Sequence, residues 1–302
     1  MTDAVLVDGG RTIRAAPAAP TAKAPRNWAW VGLVPFMAFL GLFLIVPAST
    51  VFSKALVDSE GNFGLDALKD AFTGQNLDAF KFSVKLSALA AATGVVVGGL
   101  LAYAAASIRR PRWLRSLVTA FSGVAANLGG IPLAFAFISL LGRQGLLTKI
   151  LDGLGYDLYG KGFQLDTTAG FVSVYSYFNI PLMVLITLPA IDGLKDSWRE
   201  ACANLGGTTF TYWRRVGLPV LLPSLLGGFL LLFANSFSAY ATAAAMTDQS
   251  LIVPLRIQFY IGGDFAGQDQ LGFSLAAWMI IIMAVSMGLY WMLRKRAERW
   301  QS

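Results

Sequence analysis

WREACANLGGTTFTYWRRVGLP, residues Trp198–Pro219, lies between two long runs of this 302-residue chain that carry no charged side chain, 168–191 before it and 219–247 after it. A run of about 20 predominantly apolar residues is long enough to cross a hydrocarbon core of roughly 30 Å. The quoted segment therefore reads as a polar connection between two membrane-spanning helices. Four other stretches meet the same criterion: Trp30–Phe52, Leu86–Ile108, Ser116–Gly142 and Leu271–Leu293. None of the six contains Asp, Glu, Lys or Arg. With 56% hydrophobic and only 14% charged residues, the composition lies outside that of soluble domains. A soluble helical protein would need polar residues at every turn of its surface helices, and these runs lack them. The expected fold is an all-α membrane protein with six transmembrane helices.

The basic residues orient the spans. Arg11, Arg14, Lys23 and Arg26 precede the first span, and Arg109, Arg110, Arg112 and Arg115 follow the second. Lys195, Arg199, Arg214 and Arg215 lie in the quoted connection, and Arg294, Lys295, Arg296 and Arg299 follow the last span. These are 16 of the 24 basic residues, and strict alternation puts all of them on one side. The positive-inside rule makes that side cytoplasmic, with both termini inside. Residues 1–29, rich in Ala and Pro, read as a disordered cytoplasmic tail, and residues 30–302 as the six-span domain. Between the first two spans, GNFGLDALKDAFTG (Gly61–Gly74) places Leu65, Leu68, Ala71 and Phe72 at helical spacing, which predicts a short amphipathic helix on the outer surface.

Several chemistries are excluded. The chain has no histidine and one cysteine, Cys202, so it contains no histidine metal site, no Ser-His or Cys-His nucleophile and no disulfide framework. The net charge of +7 follows the membrane topology and forms no aromatic-interleaved basic domain, which argues against nucleic acid as a partner. No G-x-x-x-x-G-K-[ST] motif occurs, so ATP is not handled by this chain.

Small and polar residues mark the interior of the bundle. Gly94 and Gly98 form a GxxxG pair suited to close helix packing. Asn127, Gly129, Gly130 and Pro132 interrupt the third span. Polar groups at membrane depth face a bundle interior or a cavity, because hydrocarbon leaves them unsatisfied. Asn127, Tyr177, Asn179, Asn235, Ser238 and Tyr240 are accordingly candidates for a solute path, with interhelical hydrogen bonding as the alternative for each.

In the quoted connection, about residues 192–219, Ser197 and Glu200 have capping-box spacing, which predicts a helix start. Trp198, Ala201, Cys202 and Leu205 then form one apolar stripe at i, i+3, i+4 and i+7. Gly206-Gly207 stops that helix, Thr208 or Thr209 caps a second one, and Leu218-Pro219 sets the angle of re-entry into the membrane. An amphipathic loop lying on the bilayer is the plainer reading of such features.

The spacing, however, is specific. Glu200-Ala201-Cys202, three residues, Gly206, nine residues, then Val216, Leu218 and Pro219 reproduces E-A-A, G and I-x-L-P, with Cys for the second Ala and Val for Ile. This resembles the signature loop of the permease subunits of binding-protein-dependent type I ABC importers. The stretches YFNIPLMVLITLPAIDGL (177–194) and LLLFANSFSAYATAAAMTDQSLIVPLRIQFYI (230–261) are similar to the branch that imports polyamines, aminoethylphosphonate and ferric iron, with sulfate and molybdate permeases nearby.

The resemblance implies the type I importer permease fold in a bacterial inner membrane, with this loop as a coupling helix on an ATP-binding subunit. Ser197, Glu200, Ala201, Cys202, Gly206, Val216, Leu218 and Pro219 are then the coupling-loop residues, with Gly206 at the tight turn. Implied partners are two ATPase subunits holding ATP and Mg, a second permease subunit that is a copy or a sister chain, and an extracytoplasmic solute-binding protein. The chain itself then needs no cofactor and is not an enzyme. A sugar-branch permease is the nearest alternative. A stand-alone secondary carrier fits less well, because such carriers place ionisable residues within the membrane and contain internal repeats.

Overall fold

The computed structural model describes residues 7–8, 11–12, 29–57, 62–108, 112–247, 252–262 and 268–298. Val7–Asp8 and Arg11–Thr12 form a two-residue antiparallel ladder inside the segment read as an unstructured tail. The rest of that tail lies outside the described residues. The chain divides into two compact units, 1–48 and 49–302.

Helices carry the remainder. They are α1 (Gly32–Leu56), α2 (Asp66–Asp70), α3 (Gly74–Ser107), α4 (Arg112–Asn127), α5 (Ile131–Leu141) and α6 (Leu146–Gly153). They continue with α7 (Thr168–Asp192), α8 (Asp196–Asn204), α9 (Thr209–Phe237), α10 (Ala241–Ala244), α11 (Val253–Ile261) and α12 (Asp269–Glu298). Six helical segments are long and apolar enough to cross a membrane, as the sequence predicts. In α1 the most apolar stretch buries no residue.

The central element is α7, whose most apolar window is 61% buried, about twice the fraction in any other span. It packs against α3, α4, α5 and α9, while α9 also packs against α12. Glycine permits the tightest contact. A Cβ at Gly98 would lie 2.6 Å from the Ile180 carbonyl oxygen and 2.7 Å from Met183 Cβ, and one at Gly94 would lie 2.5 Å from Leu232 Cδ2 and 3.0 Å from Asn179 Cβ. The GxxxG pair is thus the place where α3 lies against α7 and α9, through backbone approach and dispersion rather than a hydrophobic driving force.

Four expectations need correction. The second span is not confined to 86–108, because α3 begins at Gly74 and its 34 residues extend over about 50 Å. The third is not one helix. It breaks between Asn127 and Ile131, where Gly130 adopts φ +74° and Pro132 opens the next helix. Glycine alone takes that backbone region without strain, and a proline in the first turn of the next helix is tolerated there. The fifth span ends at Phe237, short of Thr247. Nothing in its sequence stops it, but the Tyr175 hydroxyl donates to the Ala239 carbonyl (3.0 Å) and the Gly130 N–H donates to Thr242 Oγ1 (2.9 Å), holding the chain in a turn before α10.

The fourth correction concerns the outer amphipathic helix. It is only Asp66–Asp70 and docks on the bundle, with Ala71 fully buried, Phe72 stacked on Phe80 (5.0 Å) and edge-on to Trp278 (4.7 Å). Its Leu68 carbonyl accepts the Trp278 indole N–H at 3.1 Å. Its apolar residues divide: Ala71 is buried against the bundle, while Leu65 and Phe72 remain exposed.

Beside it lies the one buried cation among the described residues. Arg256 on α11 is 8% exposed, and its Nε donates to Asn76 Oδ1 (2.5 Å) while Nη2 donates to Gln75 Oε1 (3.1 Å). Tyr260 shares the same acceptor, with its hydroxyl 3.3 Å from Asn76 Oδ1. A buried charge is tolerated when its donors are satisfied, and here neutral oxygens satisfy them.

Two outcomes test this packing. Gly98→Leu is expected to lower stability by about 1–3 kcal/mol through overpacking. Gly123→Ala, where a Cβ meets nothing within 4 Å, should stay within about 0.5 kcal/mol of wild type, both read from thermal unfolding of the purified protein in detergent. In the same assay Asn76→Leu should cost about 3 kcal/mol, because it strands the guanidinium, and Arg256→Met should cost less, because it removes the buried charge with its donors.

Candidate functional site

The loop with the importer-like spacing folds into a projection between α7 and α9. Helix α8 starts two residues earlier than the capping-box reading requires. Lys195 occupies the N-cap without any side-chain cap hydrogen bond, and Asp196 stands in the first turn. Ser197 is therefore inside the helix and caps nothing; the Asp196 carboxylate instead lies where the positive end of the helix dipole favours it. At the other end Gly207 N–H donates to the Cys202 carbonyl (2.8 Å) and Gly206 N–H to the Ala203 carbonyl (2.9 Å). With Gly206 at φ +77°, this is a Schellman stop, as the Gly-Gly pair predicts.

The apolar stripe is only partly covered. Trp198 and Cys202 are half-buried, but Ala201 is exposed and Leu205 is 89% exposed. Glu200, Gly206 and Phe210 are exposed as well. The projection thus presents apolar Leu205 and Phe210 beside a carboxylate and a left-handed turn, and its own chain covers none of them.

Thr208 caps the next helix by accepting the Thr211 N–H at 3.3 Å. From Thr209 the chain runs into α9 without a break, so Leu218-Pro219 is not a re-entry corner. The strain of a mid-helix proline is taken up just ahead of it, in a widened turn at Trp213–Gly217 closed by Leu218 N–H on the Trp213 carbonyl. The same device precedes Pro47 in α1, where Gly41–Ile45 is widened. Val216 is half-buried, and Leu218 and Pro219 face outward.

Two contacts hold this loop to the rest of the bundle. Arg115 of α4 forms an ion pair with Asp192 at the end of α7, and Tyr103 of α3 meets Trp213 edge to face at 5.1 Å. Neither pairing was legible in the sequence, since the partners are 77 and 110 positions apart; only the like topological side of Arg115 and Asp192 pointed to it.

The six candidate path residues separate into two groups. Asn179 is fully buried, with Nδ2 donating to Ser236 Oγ at 2.8 Å across α7 and α9 and Oδ1 lacking a partner among the described residues. Tyr177 is half-buried against Phe137, edge to face at 5.9 Å. Asn127, Asn235, Ser238 and Tyr240 are exposed. Asn127 Nδ2 donates to the Gly123 carbonyl (2.8 Å) and Ser238 Oγ to the Asn235 carbonyl (3.1 Å), so both close local turns. The structure does not gather all six at one point. It brings the break after Asn127 against the turn at Ser238–Thr242 through the Gly130 to Thr242 bond, and it pairs Ser236 with Asn179.

Comparison with known proteins accords with this geometry. The model of the family described as "Binding-protein-dependent transport system inner membrane component" matches residues 94–299, more than half of the chain. A probable sulfate transport system permease of Helicosporidium sp. subsp. Simulium jonesii is 22% identical over 251 residues, covering 82% of this chain and 88% of that protein. The molybdenum transport system permease of Mycobacterium tuberculosis is 28% identical over 193 residues, covering 63% and 69%. A chain of a bacterial ABC transporter that imports the acidic polysaccharide alginate superposes with a TM-score of 0.66 at 16% identity, covering 90% of this chain and 95% of that one, a likeness of fold. The chain therefore belongs to the family of binding-protein-dependent transport system inner membrane components.

Proposed function

We propose that this multi-pass membrane protein is the pore-forming permease of an ATP-driven importer and that α8 is its coupling helix. The observation that carries the reading is the Gly206 stop: a helix locked at its end, exposed at Glu200, Ala201, Leu205 and Phe210, and joined directly to α7 and α9. A stiff element transmits displacement to packed helices that a loose loop would absorb. The buried Asn179 to Ser236 bond ties those two helices together, so movement of α8 reaches both. In this reading two ATP-binding subunits, which hold ATP and Mg, receive the loops of this chain and of a second permease subunit. Both termini and α8 face the cytoplasm, and a binding protein delivers solute at the opposite face.

The solute proposed is small and charged, of the polyamine, phosphonate or ferric-iron class. Within that class the oxyanion arm is favoured by Arg256, a buried cation whose partners among the described residues are neutral, so that its field favours an anion over a polyamine. Sulfate and molybdenum permeases among the relatives support the same arm.

Glu200→Ala and Gly206→Val are expected to lower solute uptake and solute-stimulated ATPase at least tenfold in the reconstituted complex while the protein still reaches the membrane. Gly206→Val acts through the left-handed turn, which a β-branched residue resists by about 1–2 kcal/mol. Normal uptake by both variants would sink the coupling reading. A binding screen of the partner binding protein against phosphonate, sulfate, molybdate, ferric iron and polyamines reads the solute class, and tight binding of a polyamine alone would overturn the oxyanion arm.

A further inference from the structure

Two cavities meet at the foot of the bundle beside α8. One is an apolar groove of about 480 Å³ between α3, α7 and α9, walled by Val96, Gly99, Leu100, Leu221 and Leu225. The other is a polar cleft of about 370 Å³ reaching Asp192, Lys195, Asp196, Arg199 and Thr209. They adjoin, with Tyr103, Ile191 and Trp213 lining both.

The chemistry changes along this channel as it does along a lipid. Leu100 and Leu225 belong to uncharged stretches of the second and fifth spans, so the groove lies at membrane depth. Tyr103 and Trp213, edge to face at 5.1 Å, stand at the boundary, where amphipathic rings sit at the headgroup level of a bilayer. Beyond them the charges are unequal. Asp192 is engaged by Arg115, which leaves the single carboxylate of Asp196 against Lys195 and Arg199. Neither cation has a carboxylate within ion-pair distance among the described residues. The two flank the start of α8, Lys195 as its N-cap and Arg199 in its first turns, and both line the cleft. Basic pockets between spans, on the side where basic residues accumulate, recognise anionic headgroups.

We propose that this channel holds one anionic phospholipid, with an acyl chain in the groove and its phosphate at Lys195 and Arg199. The lipid touches α8 through its headgroup and α3 and α9 through its tail, so it braces the projection at a resting position relative to the spans. This requires only that the chain cross a membrane, and it stands independently of what α8 docks against.

The test is lipid retention by the purified complex, reconstituted in nanodiscs of equal phosphatidylglycerol and phosphatidylcholine, extracted in mild detergent and weighed by native mass spectrometry. Expected is one retained phosphatidylglycerol per permease chain. The pair Lys195→Gln and Arg199→Gln should reduce the preference for phosphatidylglycerol over phosphatidylcholine at least fivefold. Gly99→Leu, whose Cβ would meet only Leu225 Cδ2 at 3.8 Å, fills the groove and should cut retention of both lipids at least fivefold. Leu225→Trp does the same from the opposite wall, and a melting temperature equal to wild type for either one assigns the loss to the groove. Retention unchanged in all variants overturns the proposal, as does cross-linking of Gly99→Cys to a partner subunit, which would show protein in the groove. Because the readout is bound lipid and not transport, its failure leaves the coupling reading untouched.

Discussion

Everything else in this bundle depends on how closely α3 can approach α7. At Gly94 and Gly98 the two helices meet with no room for a single added carbon, and Leu232 of α9 closes over the same point. In a membrane the lipid tails are as apolar as the side chains, so helices associate through shape and close contact. Gly228 repeats the device on α9, where a Cβ would lie 2.6 Å from Met183 Sδ. Three helices are thereby fixed around Met183, and α4, α5 and α12 pack on them.

Polar groups then give the triangle its register. Asn179 and Ser236 pair inside it, Tyr175 takes the Ala239 carbonyl, and Gly130 takes Thr242. Each unsatisfied partner at this depth would cost free energy, so the three bonds specify where α7, α9 and the broken third span lie relative to one another. The third and fifth spans are interrupted at facing positions, where Gly130 meets Thr242 while Asn127, Ser238 and Tyr240 are exposed, and a membrane tolerates such irregular backbone only where protein or a cavity covers it.

The loop at the foot of the bundle inherits this rigidity. Helix α8 is stopped by a left-handed glycine at one end and continuous with α7 through a short turn at the other, and α9 starts from the Thr208 cap. The widened turn before Pro219 absorbs the missing hydrogen bond without a corner, so α9 remains one lever from Thr209 to Phe237. Tyr103 against Trp213 and Arg115 against Asp192 add contacts from the second and third spans.

The linear sequence by itself determined the number of spans, their charge bias, the family spacing of Glu200, Gly206 and Pro219, and the close packing at Gly94 and Gly98. These depend on length, hydropathy and local backbone preference, which are properties of short windows. The Gly206 stop was legible for the same reason, since few residues besides glycine end a helix in the left-handed region without strain. What only the tertiary structure decided were the features held by distant partners. Ser197 lost its capping role when the helix began at Asp196, the outer helix gained the Trp278 indole as a partner, and the fifth span stopped at Phe237 because Tyr175 and Gly130 captured the following turn. Asn179 went to the core while Asn127 and Asn235 stayed at the surface, although all three look alike in sequence, because burial of an amide is settled by which helix faces it with a partner.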